Sequence, residues 1–153
     1  HSSNLFSCGM QPAGGKYLVF YLNDETFATP VRHVAEVIHA LDIAPLPNVP
    51  DWLSGIINLR GEIISVIDLR AFWKKETALT SSRPKLLVLR DEKSNASAAF
   101  TIDKLGEIII LRDDEIQASK ESSLEIFGQA VCQTGALKLL DAGTLISSLK
   151  LGR

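Results

Sequence analysis

Cysteine, histidine and aromatic residues are scarce in this chain, and each shortage removes a class of function. Only two cysteines occur in 153 residues, Cys8 and Cys132, and they form no C-x-x-C unit. A disulfide scaffold and a thiolate zinc cluster are thereby disfavoured, and a reducing cytoplasm fits best. Of the three histidines, His1 lies at the start, while His33 and His39 flank a strand-like stretch six residues apart. That is not the i, i+4 spacing of a helical zinc pair, so packing or exposed imidazoles are favoured and no metal site is expected. Aromatic residues make up 7% of the chain, and sixteen Lys+Arg face eighteen Asp+Glu for a net charge of −2. A basic groove lined with stacking rings is therefore missing, and nucleic acid is not an expected partner. Apolar runs such as Ile108 to Leu111 fall far short of the roughly 18–20 residues that cross a bilayer, which argues against membrane insertion.

Catalytic patterns are also missing. No G-x-S-x-G, H-E-x-x-H, G-x-x-x-x-G-K or G-x-G-x-x-G occurs, so neither an activated nucleophile nor a phosphate-cradling loop is indicated. No enzyme activity, catalytic residue or cofactor is expected. The acidic groups Asp91-Glu92 and Asp113-Asp114-Glu115 directly follow strand-like runs, where Asp suits a solvated turn better than a paired-carboxylate site. Residues 1–15 are polar and rich in Ser and Gly, with no basic start and no apolar stretch. They are expected to be a mobile leader rather than a secretory signal.

What the chain does contain is strands. Lys16-Tyr17-Leu18-Val19-Phe20-Tyr21-Leu22 is aromatic and β-branched and ends in the turn-forming Asn23-Asp24-Glu25. Phe27 to Val31 and Val34 to Ile38 form two more candidate strands with a kink at Pro30 to His33. Three prolines between Ala44 and Pro50 specify a stiff surface connection. Asp51 to Ser54 suits a single helical turn, and Gly55 to Arg60 and Glu62 to Leu69 make a strand pair around Gly61.

The pattern then repeats. Lys85 to Leu89 echoes Lys16 to Phe20, 69 residues later, and Ile102 to Ile109 echoes Val31 to Ile38, 71 residues later, keeping each apolar position and the single Glu. Gly135 to Asp141 is a looser copy of Gly61 to Asp68. Three similar segments in one order favour an internal duplication over coincidence. Each half has five short strands, which avoid exposed edges most readily by curling into a small barrel. The halves are drawn at about 16–76 and 84–150, with a linker from Thr77 to Pro84. Asp141 to Leu149 reads as a terminal helix capped by Asp141, and Ser122 to Glu125 matches a capping box.

Arg60 lies among apolar strand residues and needs a partner. A pair with Glu36, Glu62 or Asp68 and a bidentate contact to another protein's carboxylate are both open. Trp52 and Trp73 suit the core better than an interface.

The run Leu46-Pro47-Asn48-Val49-Pro50-Asp51-Trp52-Leu53-Ser54-Gly55-Ile56-Ile57-Asn58-Leu59-Arg60-Gly61-Glu62-Ile63-Ile64-Ser65-Val66-Ile67-Asp68-Leu69-Arg70 resembles the signature of the CheW-like chemotaxis coupling proteins. Val34-Ala35-Glu36-Val37-Ile38 precedes it, while Phe100 to Glu107 and Leu139-Leu140-Asp141 follow. The resemblance covers about Lys16 to Lys150. Ser65 departs from the family's usual proline, and Ala136-Leu137-Lys138 is a weak form of the last hairpin.

The resemblance implies an all-β fold of two intertwined five-stranded SH3-like β-barrels with a short C-terminal helix. It implies a non-enzymatic adaptor that couples the cytoplasmic tip of methyl-accepting chemoreceptors to the regulatory domain of the histidine kinase CheA. Such an adaptor is cytoplasmic, in a bacterium, and recruited to receptor arrays. Val34, Glu36 and Gly55 correspond to partner-binding positions on the kinase side, and Arg60 to one linked to the receptor. Two alternatives follow: an adaptor of a twitching-motility or phototaxis pathway, or, on fold alone, a ligand- or oligonucleotide-binding barrel.

Overall fold

Leu18, Val19 and Phe20 are apolar at consecutive positions, although neighbouring side chains of a strand point to opposite faces. Both faces must therefore be covered. In the computed structural model, which describes residues 14–22, 25–39, 43–73, 85–117, 126–132 and 135–149, they are. On β1 (Gly15–Leu22), Tyr17 and Val19 join one apolar cluster, while Leu18, Phe20 and Leu22 join another. On β6 (Lys85–Arg90), Leu86 and Val88 face a third cluster, and Leu87 and Leu89 return to the one that β1 shares. One apolar layer thus belongs to each sheet and a larger one lies between them.

The remaining strands are β2 (Glu25–Pro30), β3 (Val34–His39), β4 (Leu53–Leu59), β5 (Glu62–Ile67), β7 (Ser97–Ile102), β8 (Lys104–Leu111), β9 (Ile126–Cys132) and β10 (Gly135–Leu140). They form two five-stranded sheets, ordered β8-β1-β2-β10-β9 and β3-β6-β7-β5-β4. Mapping β1 to β6, β2 to β7, β3 to β8, β4 to β9 and β5 to β10 turns the first order into the second. The parallel junctions correspond too, β2 with β10 and β7 with β5. Even the irregularity between the outer strand and its neighbour recurs, at Leu18/Phe20 against β8 and at Val34/Glu36 against β6. This symmetry is what a duplicated sequence predicts.

The duplication does not give one sheet per half. β1 and β2 pair with β8, β9 and β10, while β6 and β7 pair with β3, β4 and β5. Strands β1–β5 and strands β6–β10 each contribute to both sheets, and the chain crosses between sheets at Val31–His33 and at Asp103. The intertwined all-β architecture expected from the sequence is present, and α2 (Ala142–Leu149) packs Leu145, Ile146 and Leu149 into the shared layer. Residues 1–13, the linker from Thr77 to Pro84 and the Ser122 to Glu125 capping sequence lie outside the described residues.

Aspartates start both helices. The Asp68 carboxylate accepts from the backbone N–H of Arg70 at 3.1 Å, beginning α1 (Leu69–Phe72), and Asp141 accepts from the N–H of Thr144 at 3.0 Å, beginning α2. Each satisfies donors that a helix start leaves free. Trp52 meets the Phe72 ring edge-on, Trp73 stacks on Phe27, and Phe27 stacks on its cross-strand partner Phe20. Both tryptophans are half-buried against the shared layer.

The helical turn expected at Asp51 to Ser54 does not form. Asp51 and Trp52 make a turn, with the Leu53 N–H donating to the Pro50 carbonyl, and Leu53 already pairs with Ile67. Extending the β4–β5 ladder satisfies these backbone groups along a whole strand, which one isolated helical turn cannot do.

Candidate protein-interaction site

Leu59 and Glu62 are cross-strand partners, so Arg60-Gly61 is the two-residue loop of the β4–β5 hairpin. Both have positive φ, 53° and 88°. This is the backbone of a type I′ turn, whose twist suits a hairpin and which glycine adopts freely but arginine does not. The Asn58 side-chain oxygen accepts from the Gly61 N–H at 2.9 Å and holds the turn. Arg60 is therefore a turn residue rather than the strand-interior residue expected from its apolar neighbours, and its side chain is 72% exposed.

The guanidinium reaches β3. Arg60 donates through both Nη atoms to the two carboxylate oxygens of Glu36, with Nη1 to Oε2 at 3.2 Å. This bidentate pair joins one outer strand of the β3-β6-β7-β5-β4 sheet to the hairpin at its other side, with Ile38, Ile43 and Leu59 packed on the cluster beneath. The hydrogen bond from Arg60 holds the Glu36 carboxyl below its usual range, and the same contact raises Arg60. Of the two partnerships open for Arg60, the intramolecular one is present, and its acid is Glu36.

Val34 begins β3, half-buried against the shared layer, two residues before Glu36. Gly55 lies toward the opposite end of β4 from the hairpin tip, buried, with φ 151°. An added Cβ there would come within 2.3 Å of the Ala44 carbonyl oxygen. Ala44 and Ile56 exchange backbone hydrogen bonds of 2.9 Å, which place the proline-rich segment along β4. Gly55 thus permits a close backbone approach and presents no side chain to a partner. The structure unites Glu36 with Arg60, sets Val34 on the same strand, and puts Gly55 in a separate supporting position.

Exposed isoleucines were not singled out by sequence. Ile63 beside the hairpin tip is 60% exposed, and Ile108 and Ile110 on outer strand β8 are 57% and 70% exposed. Their alternation with the more buried Ile109 and Leu111 was the available signal, masked by an unbroken apolar run. The acidic groups behave as turn residues. Asp91 accepts from the Lys93 N–H and the Ser94 hydroxyl, and Asp113–Glu115 is a single 3₁₀ turn. Among the described residues, no group of three or more His, Cys, Asp or Glu side chains is placed to hold a metal, and no helix is long and apolar enough to cross a membrane.

A solved structure, the scaffolding protein TtCheW from Thermoanaerobacter tengcongensis, has the same fold: TM-score 0.75 and 24% identity, covering 83% of this chain and 88% of that one. The chemotaxis protein CheW of Treponema pallidum is 29% identical over 143 residues, which is 88% of this chain and 83% of that protein. The chemotaxis protein CheW of Helicobacter pylori is 26% identical over 107 residues, 70% of this chain and 64% of that protein. A family model described as the CheW-like domain matches residues 16–150. With nearly all of its length matched by that domain, and with the domain's two-sheet fold, the chain belongs to the CheW-like family.

Proposed function

We propose that this chain is a cytoplasmic scaffold of chemotaxis signalling that couples methyl-accepting receptors to the histidine kinase CheA by binding both. The observation that carries this reading is the paired Glu36 and Arg60 at the exposed rim of one sheet, on a chain matched by the CheW-like domain over 16–150. A guanidinium held on a rigid two-residue turn, with Ile63 exposed beside it, suits a protein surface that combines apolar area with one fixed charge. The kinase regulatory domain is assigned to the sheet carrying Val34, Glu36 and Gly55, and the helical receptor tip to the groove between the two barrels. An amphipathic helix in such a groove gains affinity from apolar burial and register from charge. Arg60 acts on the receptor-linked side, and Gly55 acts through the segment it positions.

The test is a titration of the protein against a receptor signalling-tip fragment and a CheA regulatory-domain fragment, separately and together. Binding to both with a ternary complex is expected, and binding to neither overturns the reading. Arg60→Glu is expected to abolish ternary assembly while the circular dichroism spectrum and melting transition stay those of the native fold. Loss of the fold instead would make the Glu36 pair a purely structural contact.

A further inference from the structure

His33 is 8% exposed, and its Nδ1 is buried with no hydrogen-bond partner among the described residues. It ends the 3₁₀ turn Val31–His33, which carries the chain from β2 in one sheet to β3 in the other. The next residues are Val34 and, two further on, Glu36. An imidazole in a sheet-to-sheet crossover, directly before the proposed docking strand, is used by nothing described so far.

Protonation would make both ring nitrogens donors and add a charge. Whichever neutral tautomer is present, the imidazolium carries a hydrogen on Nδ1, which is buried where no acceptor is found. The charged groups around it are Arg32 on its own turn, Asp91 and Glu92 on the β6–β7 turn, and Asp141 before α2. β1, which also packs on the crossover, brings Tyr17, a phenol that burial pushes up and so keeps neutral. The three carboxylates are engaged elsewhere. Glu92 lies 3.7 Å from Arg32, Asp91 accepts from Lys93 and Ser94, and Asp141 accepts from Thr144.

We propose that His33 makes the β2–β3 crossover a proton-sensitive joint: its imidazole is neutral in the docking-competent form, and protonation on mild acidification loosens the turn and the strand bearing Val34 and Glu36, weakening partner binding. Burial, then the neighbouring Arg32 charge, holds the His33 pKa below its ordinary value. A group depressed in this way stays neutral in the closed form while the open form takes up a proton. The closed form is thus fully favoured above about pH 6.5 and loses ground as pH falls below it.

The binding part rests on the proposed scaffold function, so the test has two arms on the whole chain. In the first, imidazole NMR titration and thermal melting between pH 5 and 8 need no partner. His33 is expected to titrate below about pH 6.5, and the melting temperature to fall with acidification more steeply than in His33→Gln or His33→Asn. In the second arm, binding of the CheA regulatory-domain fragment is expected to weaken by about three- to tenfold from pH 7.5 to 5.5, and by less than about twofold in His33→Gln. Titration of His33 at or above the ordinary value, or an unchanged pH dependence in both His33 variants, overturns the joint. Absence of binding at every pH overturns the scaffold reading and leaves the first arm to decide the joint.

Discussion

Strands β3 and β8 hold equivalent places in the two sheets, each an outer strand paired on one side to the first strand of the other half. Their inward residues agree. Val34 and Leu105 pack on the shared layer, and Ile38 and Ile109 on the cluster of their own sheet. Their outward residues do not. Glu36 is bound by Arg60, whereas its counterpart Glu107 is exposed, and the sequence positions that match Arg60-Gly61, Gln133 and Thr134, carry no guanidinium. Exposed His39 is matched by exposed Ile110, and the mostly exposed Ile108 stands where Val37 packs on the shared layer. Packing constrains the inward positions of both copies alike. The outward positions, free of that constraint, differ: one outer strand carries a charged clasp and the other an apolar face.

The two sheets are most vulnerable in the layer they share. Phe100 is fully buried in the layer between them, and Phe100→Ala is expected to cost about 3–5 kcal/mol. Because strands of both sheets contribute to that layer, denaturant unfolding should remain a single transition, seen alike by probes in either sheet. Separate transitions for the two sheets would show that they are independent units.

A smaller effect is expected at Gly55. Any side chain there meets the Ala44 carbonyl oxygen on a backbone that disfavours L residues. Gly55→Val is expected to cost about 2 kcal/mol, as strain at special backbone positions does, and to displace residues 43–50 from β4. Kinase-fragment binding should then fall in proportion to that displacement, as measured by calorimetry alongside hydrogen exchange at Ala44 and Ile56. Intact exchange protection with lost binding would instead make Gly55 a direct contact.

The smallest change separates the two glutamates. Glu36→Gln is expected to leave the fold standing and weaken partner binding, while Glu107→Gln leaves both nearly unaltered, because among the described residues only Glu36 of the two holds a guanidinium. The pH dependence has a definite sign. The Glu36 carboxyl is depressed by the hydrogen bond from Arg60, so its contribution is present above about pH 4.5 and is lost as pH falls through the lower folded value. Exposure and salt screening keep that contribution small. Carboxyl NMR titration checks it: Glu36 should titrate below its usual range, and that gap should close in Arg60→Gln. A gap that survives would assign the depression to some other cause.

Much of this was legible in the sequence. The repeat of Lys16 to Phe20 at Lys85 to Leu89, the strands around Gly61, the proline-rich connection and the Asp141-capped helix all depend on short-range patterns and turn chemistry. Arg60 was harder to place. The loop is Arg-Gly rather than the Asn-Gly that marks a type I′ turn, so the residue read as part of a strand, and its bond to Glu36, 24 residues earlier, remained one option among several. Gly55 could be tied to the family pattern, but its buried approach to Ala44 depends on where another segment lies.

Local patterns alone fix the strand-rich character, the duplication, the closing helix and the family pattern, because periodicity, capping and turn chemistry act over a few residues. Which strands pair beyond the local hairpins depends on the tertiary structure. A strand such as β1 or β6, apolar on both faces, carries no local mark of its neighbours, and its side chains are satisfied only once two sheets have exchanged strands around a common layer. The same physics settles the surface. Whether Glu36 finds a cation, or Ile108 a cover, depends on parts of the chain that no local pattern connects.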